Sequence, residues 1–594
     1  MLVIAIAFPL IYINLFSANF ISWDDTEYVL ENQDVHLFQI NHFFSKSYIG
    51  NYHPITMISY AIDWKLYGKS AFGYHVENIV WHFANTILVF ILCRKILKNE
   101  LKAVVVALIF ALHPTQIETV AWIAERKNVM ATFFFLSSLI LYIQFLITKK
   151  NRFIFFTFLL YFMALLCKPS VIVLPLVLFI LDHFYNEPIL KKNIFQKIPF
   201  IILAIAFGIV TYITQQSGKF INESHAYPIS ERIGYAGYAI TQYLSKLFFP
   251  VNLSVIYPYP TNKTVSIIFG YIALIILGII MYKLYKAKKN IVLFGLLFFT
   301  INLLLVLQFI PFGEVLTADR YLYIPIIGIS ITLISLFSFK EKQLKIISIT
   351  LLLVFGSLSF LRSKVWQNSI SLFNDTYKKQ PHSFVVLNSL GAEYMLAKNY
   401  SMANKYLNMA INENTNYYKG YYNRGLLYAQ TNRFDKALAD FNKVIELKKY
   451  PKAYVARANV YYALKDFPKA LADAEEVLKT EPLNAKANYV LATCYDDLNQ
   501  LDKALTYYNR AISMYTEEPL YLMRRGILYG KQQNFSACLV DLNTCTTINP
   551  NFAEAYYWKG VAKVNLKQNP CADLKAAVNL GFIAAQKSIA IYCK

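Results

Sequence analysis

The sequence predicts an all-α protein in two parts, a polytopic membrane helix bundle followed by a solenoid of helical repeats. Hydrophobic residues make up 56% of the 594 residues and charged residues only 16%, whereas a soluble chain carries roughly a quarter charged residues. Apolar runs of about 20 residues, the length of a membrane span, recur until about residue 361. The sequence that follows is soluble in character and periodic.

Eleven segments of the first part are candidate spans. The first begins at Met1 without a basic region or a small-residue cleavage site, so we expect a retained span rather than a cleaved signal peptide. A further apolar segment, 234–250, is predicted to be interfacial or re-entrant, because counting it as a span would turn the basic run at 283–290 outward. The eleven candidates are 1–18, 77–97, 103–119, 129–147, 153–167, 170–184, 198–214, 265–283, 291–310, 322–338 and 344–361.

The positions of Lys and Arg predict the orientation of these spans. Basic clusters occupy alternate loops, which are cytoplasmic if residue 1 starts inside. The outer face then receives the soluble tail and five loops, 19–76, 113–128, 167–169, 215–264 and 311–321. The formal net charge is +22, and much of the charge of the membrane part lies in short loops between spans, where Lys and Arg set the topology. We find no nucleic-acid motif.

The soluble tail aligns as six repeats. They start at residues 384, 418, 451, 485, 519 and 553, in steps of 34 residues with one step of 33. Gly or Ala recurs at repeat position 8, Tyr at position 11 in the first five repeats, and a small residue at position 20, which lets paired helices approach closely. The position-20 residues are Ala403, Ala437, Ala470, Ala504, Cys538 and Ala572.

This pattern resembles the tetratricopeptide repeat, a helix-turn-helix unit of 34 residues. Such repeats stack into a superhelix whose concave surface commonly binds extended peptide. A rigid spacer is the alternative. The predicted domains are a membrane domain at 1–361, a linker at 362–383 and the repeats at 384–594.

The outer loops contain the candidate functional residues. Asp24 and Asp25 follow the first span, and their mutual repulsion calls for compensating charge. His75 and His82 share one helix face at the outer end of the second span. Polar residues at membrane depth usually face a bundle interior or a cavity, so we predict a functional stripe, with satisfied core histidines as the alternative.

Three cations, Arg126, Lys168 and Arg320, come from separate outer loops, where the positive-inside bias should deplete them. A phosphate or pyrophosphate group would explain their presence, because Arg suits bidentate phosphate contact and Lys supplies a point charge. The alternative is that they neutralise Asp24, Asp25, Glu118 and Glu314. The residues predicted to support this site are His53, His75, His82, His113, Glu118, Asp319 and Tyr321.

Nearly the whole chain resembles the transmembrane and tetratricopeptide repeat-containing O-mannosyltransferases. The matching segments are "WDDTEYVLEN", "GYHVENIVWHFAN", "ALHPTQIETVAWIAERKNVMA", "KPSVIVLP" and "ADRYLYIPIIG", in this order and followed by the repeats. The resemblance implies a GT-C glycosyltransferase fold with an active site built from outer-face loops. It implies a sugar donor linked to polyprenyl phosphate, and an acidic catalytic residue in the first outer loop, where this chain has Asp24 and Asp25. The short N-terminus, which has no basic residue before the first span, departs from the family and suggests an incomplete start.

The resemblance and the residues together predict transfer of a mannose-like sugar to Ser or Thr hydroxyls of proteins, with the repeats binding the acceptor. One aspartate would be the general base, and the other would orient the acceptor or hold a divalent metal. No other cofactor is expected. The terminal segment from Cys571 resembles tails of bacterial repeat proteins and favours a bacterial inner membrane with periplasmic repeats. The alternatives are a non-enzymatic membrane-anchored scaffold for envelope proteins and an enzyme acting on a glycan or lipid.

The seven cysteines contain no CxxC pair, so neither a zinc site nor a thioredoxin-like site is predicted. If the tail is external, disulfides persist there. Cys571 and Cys593 are 22 residues apart, which accommodates two antiparallel helices, and we predict a bridge between them; two reduced cysteines are the alternative. Cys538 and Cys545 are predicted to belong to the core.

Overall fold

The computed structural model describes residues 8–187, 191–217, 227–260, 262–307, 309, 315–514 and 518–593. It divides the chain into two compact units, residues 1–386 and 387–594. Both units are dominated by helices, as the sequence predicts, and a two-stranded antiparallel ladder in the first unit is the only sheet among the described residues.

The helices of the first unit follow the apolar pattern of the sequence. Short helices and 3-10 turns fill the outer loops between the longer ones. In chain order the elements are α1 Gln33–His36, α2 Ile40–Ser45, α3 Pro54–Tyr67, α4 Ala71–Leu97, α5 Glu100–Leu112, α6 Gln116–Ala121, α7 Arg126–Thr148, α8 Asn151–Cys167, α9 Leu174–Phe184, α10 Lys191–Phe195, α11 Ile198–Ser217, α12 Ile229–Phe248, β1 Tyr257–Pro258, α13 Lys263–Lys286, α14 Asn290–Leu303, β2 Val315–Thr317, α15 Pro325–Leu336, α16 Glu341–Val365 and α17 Ser369–Lys379.

Among the described residues, five helical stretches are long and apolar enough to cross a membrane: Ala71–Leu97, Ile123–Thr148, Asn193–Ser217, Lys263–Lys286 and Glu341–Val365. Only 11% of the apolar window of α13 is buried inside the protein, so its exposed apolar side chains fit a hydrocarbon environment. Shorter apolar helices cover the predicted spans at 153–167, 170–184, 291–310 and 322–338. The count of eleven spans therefore stays a prediction.

The predicted span at 103–119 is not one continuous helix. Helix α5 ends at Leu112, His113 is extended, and α6 follows after Pro114. The residue before a proline is biased away from helical angles, which accounts for the break. The break matters because it places the segment from His113 to Glu125 in a compact loop rather than in a span.

Helix α12 covers the segment predicted to be interfacial. It is paired closely with α13, where a Cβ added at Gly270 would stand 1.8 Å from the carbonyl oxygen of Gly234. Glycine is therefore required for this approach of two backbones. Helix α12 is not one of the helices that are long and apolar enough to span a membrane.

The predicted linker at 362–383 is largely helical. Asn368 caps helix α17: its side chain accepts a hydrogen bond from the backbone N–H of Ser371. Two apolar side chains of the helix, Leu372 and Phe373, are buried in the first unit. Lys379 at its end donates a 2.7 Å hydrogen bond to the carbonyl of Leu253. These apolar and capping residues explain why the segment packs instead of acting as a free connection.

The second unit consists of six helix pairs and a terminal helix, and the first helix of every pair starts at the residue predicted from the sequence. These helices are α18 Phe384–Leu396, α19 Tyr400–Glu413, α20 Tyr418–Gln430, α21 Phe434–Leu447, α22 Pro451–Ala463, α23 Phe467–Thr480, α24 Ala485–Asp497, α25 Leu501–Met514, α26 Pro519–Lys531, α27 Phe535–Ile548, α28 Ala553–Asn565, α29 Cys571–Asn579 and α30 Ala585–Tyr592.

Small residues hold the helices of each pair together, as predicted. A Cβ added at Gly425 would stand 2.6 Å from the ring of Phe441, and Ala437 is fully buried. The sixth repeat is the exception, because Ala572 is exposed and α29 has only nine residues. There Leu574 packs on Gly560 instead.

A clamp of arginine, aspartate and asparagine recurs in three repeats. Arg424 donates to both carboxylate oxygens of Asp440 at 2.7 and 2.8 Å, and to Asn408 of the preceding repeat at 2.6 Å. The same clamp is formed by Arg457 and by Arg525. Bidentate Arg–carboxylate pairs fix orientation as well as distance, so each clamp orients three helices.

The predicted disulfide is confirmed. Cys571 and Cys593 are bonded, with their Cα atoms 5.5 Å apart, within the range that a bridge requires. It ties α30 to the end of the array, where no further repeat follows among the described residues. Cys538 and Cys545 are buried, as predicted.

Candidate active site

Asp25 fixes the loop that carries the two aspartates. It is completely buried, and its carboxylate oxygens accept hydrogen bonds of 2.8 Å from the backbone N–H groups of Ile21 and Ala124. This carboxylate therefore ties the first outer loop to the turn before α7. Burial raises the pKa of Asp25 to about 7, against the lowering effect of the two backbone donors, and the charge of Asp24 adds to the increase.

Asp24 is the accessible carboxylate of the pair. Its side chain is 32% exposed, and Oδ2 lies 3.7 Å from Nζ of Lys127. The ammonium group of Lys127 also lies 4.8 Å from the ring centroid of Tyr28, a cation–π contact. The two aspartates thus differ in their surroundings. Asp25 is buried and has a structural role, whereas Asp24 is accessible to solvent.

Three cations surround Glu125, whose side chain is 3% exposed. Lys168 Nζ lies 3.0 Å from Oε2, and Lys127 Nζ and Arg320 Nε each lie 3.8 Å from Oε1. Arg320 also pairs with Glu118. The side chains of Lys168 and Arg320 remain 17% exposed, so each retains donor capacity toward the outside. Burial lowers the pKa of Lys168.

The structure brings Lys168 and Arg320 together as predicted, but it places Arg126 elsewhere. Arg126 is completely buried and its donors are used inside the protein, which leaves none for an external phosphate. Lys127, the next residue in the chain, lies near Asp24 and Glu125, where the sequence led us to expect Arg126. The groups that bind the Arg126 guanidinium are the carboxylates of Asp63 and Glu77, the side-chain oxygen of Asn78 and the backbone carbonyl of Tyr74.

The neutralising alternative is also partly realised. Lys127, which is buried, pairs with Asp24, and Arg320, which stays partly exposed, pairs with Glu118. Glu314, the further acid considered for this role, lies outside the described residues.

The histidines predicted to support the site are buried. His82 lies between the Tyr323 hydroxyl, 2.7 Å from Nδ1, and the carbonyl of Ala111, 3.2 Å from Nε2. His113 is 2.7 Å from the hydroxyl of Thr115 and 3.0 Å from a backbone carbonyl at the end of α12. These two residues fit the alternative of satisfied core histidines, and they join loops to helices.

His53 and His75 are buried as well. The ring of His53 packs edge-on against Tyr28, with 4.9 Å between centroids. His75 contacts the backbone of Asn19 at the start of the first outer loop. Both histidines therefore shape the loop that carries the aspartates without being accessible themselves.

Asp319 and Tyr321 flank Arg320 in different environments. Asp319 is buried, 3.1 Å from Nζ of Lys246, and accepts a 2.9 Å hydrogen bond from the hydroxyl of Tyr257. It thereby fixes the segment before Arg320 against α12 and β1. The ring of Tyr321 lies beside the guanidinium of Arg320, with 5.0 Å to the centroid.

Aromatic rings adjoin the aspartates and Arg320, and the sequence reasoning did not single them out. Trp23 packs on Trp122 and on Phe373, with centroid distances of 5.7 and 5.1 Å. The guanidinium of Arg320 lies 5.4 Å from the ring of Trp122. Both tryptophans stand inside the segments that carry the family resemblance, which is the signal that could have identified them.

A largely apolar groove lies in the first unit, close in sequence to one of the cations. Its volume is about 530 Å³, and Leu166, which lines it, lies two residues before Lys168. The groove runs between the outer ends of α8 and α11 and the loop after α2. Its other lining residues are Phe44, Ser45, Lys46, Ser47, Tyr52, Phe162, Phe207, Val210 and Thr214.

The described residues contain no group of three or more His, Cys, Asp or Glu side chains placed to hold a metal ion. Both oxygens of Asp25 are engaged by backbone donors, and Asp24 faces a lysine. The side chains present thus do not fit a divalent metal at the aspartate pair.

Family models of the tetratricopeptide repeat match residues 418–450 and 455–519. Along the chain, a protein O-mannosyl-transferase of Caenorhabditis elegans, F38B6.6, is 27% identical over 421 residues, which cover 64% of this chain and 58% of that protein. Two other curated relatives of this chain are also named protein O-mannosyl-transferases. The Drosophila melanogaster O-mannosyl-transferase Tmtc1 is 28% identical over 180 residues, covering 28% of this chain and 21% of that protein.

The mouse protein O-mannosyl-transferase TMTC2 is 32% identical over 146 residues, which cover 23% of this chain and 17% of that protein. This chain thus spans somewhat more than half the length of the C. elegans O-mannosyl-transferase and less of the other two. These relatives are animal proteins, and the bacterial assignment stays a prediction.

Two solved structures of tetratricopeptide repeat proteins match part of this chain. A tetratricopeptide repeat protein from Parabacteroides merdae is 18% identical with a TM-score of 0.33, covering 41% of this chain and 96% of that chain. YrrB, described as a TPR protein with an unusual peptide-binding site, is 24% identical with a TM-score of 0.26, covering 31% of this chain and 96% of that chain.

Proposed function

We propose that the chain is a membrane glycosyltransferase that moves a mannose-like sugar from a polyprenyl-phosphate donor to Ser or Thr hydroxyls of proteins at the outer membrane face. The observation that carries the proposal is a chain of contacts that links the accessible carboxylate of Asp24, through Lys127 and Glu125, to the partly exposed cations Lys168 and Arg320. A base for the acceptor and cations for the leaving group are the two requirements of this transfer. The names of the O-mannosyl-transferase relatives support the same chemistry.

Asp24 is the general base in this proposal. It would accept the proton of the acceptor hydroxyl as that oxygen forms a bond to the sugar, a role that typically contributes a rate factor of ~10²–10⁴. Asp25 cannot reach an acceptor, because it is completely buried with both oxygens hydrogen-bonded. Asp25 is therefore a positioning residue that holds the neighbouring carboxylate in place.

The cations would stabilise the departing lipid phosphate. As the bond between the sugar and the phosphate oxygen breaks, negative charge develops on the phosphate, and preorganised donors lower the energy of that state. Arg320 and Lys168 are held by buried carboxylates and keep part of their surface open. Lys127 contributes a third charge between Asp24 and Glu125.

The apolar groove would hold the hydrocarbon chain of the donor. Its lining residues Phe162, Leu166, Phe207 and Val210 stand on α8 and α11, and Leu166 is close in sequence to Lys168. Burial of apolar surface contributes ~25 cal/mol per Å². A lipid in this groove would present its phosphate toward the cation cluster.

The repeats would bind the acceptor protein on the outer side of the membrane, in a bacterial periplasm. Two observations support the outer side. The basic loops of the membrane part favour it, and the bond between Cys571 and Cys593 suits an oxidising compartment.

The test uses the full chain in lipid vesicles with a labelled short-chain polyprenyl-phosphate mannose and a Ser/Thr-rich peptide. Asp24→Asn should lower transfer at least 100-fold, in line with the loss of a general base. Glu27→Gln is the matched control, because Glu27 is an exposed carboxylate three residues away, and it should transfer at the wild-type rate. Equal transfer by Asp24→Asn and wild type would refute the assignment, and transfer only to a glycan or lipid would redefine the acceptor.

A further inference from the structure

The inner side of the repeat array is formed by the first helices of the repeats. Successive first helices pack directly on one another at α20–α22, α22–α24 and α26–α28, whereas successive second helices, in the described residues, do not pack to that extent. The more crowded side of a curved stack is its inner side, so α24, α26 and α28 present side chains to the concave surface.

Arg524 on α26 differs from the arginines of the clamps. Its Nε–H is buried and has no hydrogen-bond acceptor, and within the described residues it forms no ion pair. Arg525, the next residue, uses three nitrogens on Asp541 and Asn509. A buried donor without an acceptor is destabilising, so its retention at this position calls for a partner that the chain itself does not supply.

The surroundings of Arg524 leave its positive charge uncompensated. Its guanidinium lies beside the phenol groups of Tyr489 and Tyr508, which are neutral at pH 7, and it shares a hydrogen bond with Tyr489 that leaves Nε unused. Glu554 is the acid that acts on Arg524, but within the described residues it forms no ion pair with it and accepts a 3.4 Å hydrogen bond from Trp558.

The other acids of this surface are already engaged. Asp496 pairs with Lys531 at 2.6 Å, and Asp497 accepts a 2.8 Å hydrogen bond from the hydroxyl of Tyr462. The hydroxyl of Tyr508 is buried without a partner. Arg524 is thus a cation on the concave surface with an unused donor, surrounded by aromatic rings, of which Tyr489 and Tyr521 stack with 4.5 Å between centroids.

We propose that Arg524 is the anchor of a subsite that binds an acidic side chain of an extended acceptor polypeptide. A carboxylate supplies the missing acceptor for Nε and compensates the charge, and the neighbouring rings provide apolar contact for the chain on either side. The inference rests on the proposed function in that it gives the acceptor a recognition feature. It predicts that Ser and Thr residues near an Asp or Glu are preferred.

The test measures binding alone, by fluorescence anisotropy with the full chain in detergent micelles. A set of labelled Ser/Thr-rich peptides carries one Glu at each successive position, and each peptide has a twin with Gln at that position. Wild type should bind at least one Glu peptide roughly tenfold more tightly than its twin, the value of about one charged hydrogen bond. The preference should weaken at high salt, because the contact is electrostatic.

Arg524→Gln should abolish the preference for Glu, and Arg524→Lys should retain part of it. Arg510→Gln is the matched control, because Arg510 is exposed on the second helix α25, and it should keep the full preference. Equal binding of Glu and Gln twins by wild type, or a preference that survives in Arg524→Gln, would overturn the proposal.

Sugar transfer is assayed separately on the same peptides. Loss of transfer with intact Glu preference would sink the proposed function and leave this subsite standing. Intact transfer without a Glu preference would sink only the subsite.

Discussion

Replacing Arg126 separates a structural role from phosphate binding. Arg126 is completely buried against Asp63, which is also completely buried, and Glu77, which is 31% exposed. In Arg126→Gln, the carboxylate of Asp63 loses its counter-charge, and breaking a buried ion pair in this way costs about 3–5 kcal/mol. Glu77 can rehydrate, so the cost arises mainly at Asp63. We therefore expect a large loss of stability without a direct effect on donor binding.

The loss of stability in Arg126→Gln should depend on pH. Burial already raises the pKa of Asp63, and removal of the guanidinium raises it further. When the pKa of a carboxyl group is higher in the folded than in the unfolded protein, the folded state binds the proton more tightly. The resulting stabilisation is complete below the unfolded-state pKa of about 4 and is lost as the pH rises toward the folded-state pKa. Because the pKa of Asp63 in wild type is already raised to about 7, the stability gap between Arg126→Gln and wild type should narrow as pH falls from about 9 to about 7 and stay constant below that, where both folded proteins carry the proton.

Thermal unfolding of the purified chain in detergent micelles, followed by intrinsic fluorescence, measures the stability. Arg152→Gln is the matched control, because Arg152 is exposed, and it should unfold like wild type. The double variant Arg126→Met with Asp63→Asn should recover part of the loss, since it removes both buried charges. Arg320→Gln should show the converse pattern, with a raised KM for the polyprenyl-phosphate donor. Wild-type stability of Arg126→Gln together with a raised donor KM would refute this reasoning and restore Arg126 as a phosphate ligand.

Three further predictions concern pH, the disulfide and topology. Transfer should fall as pH drops below about 7, because protonation of Asp25 weakens its two backbone hydrogen bonds; a flat rate profile from pH 8 to 5 would contradict this. Replacing Cys571 and Cys593 by Ser should destabilise the repeat unit by ~3 kcal/mol in the chain-entropy model, measured by urea unfolding, and an unchanged midpoint would argue against a bridge. A periplasm-only reporter fused after Lys594 should be active and one inserted at Lys288 inactive, and the opposite pattern would place the aspartates in the cytoplasm.

The sequence was sufficient for the repeats because their information is local and periodic. All six first helices begin at the predicted residues, since the spacing of small and aromatic residues is set by contacts within one repeat. Ala572 is the exception, because Pro570 and the shortened α29 shift the terminal repeat out of register. The same locality made the bridge between Cys571 and Cys593 predictable.

The site was predictable only in part. Asp24, Lys168 and Arg320 were singled out because adjacent acids and outer-face cations break the charge pattern of a membrane protein, and their roles stay predictions. Arg126 and Lys127 could not be told apart, because adjacent helical residues point about 100° apart and only the packing of α7 decides which of them faces inward. The accessible and buried members of the aspartate pair were indistinguishable for the same reason, since the backbone donor at Ala124 comes from a distant loop.

The clamps have a mechanical consequence, because they are not distributed evenly. The repeats that start at 418, 451 and 519 each lock onto the preceding second helix through a directional arginine contact. In the repeat that starts at 485, Leu491 takes the place of the arginine and packs in an apolar cluster with Val477. Apolar contacts are non-directional and allow sliding without loss of a bond. Among the repeats that start at 418, 451, 485 and 519, we therefore expect the elastic compliance to be concentrated at this junction, one repeat before the helix that carries Arg524, so that the concave surface widens there first under load.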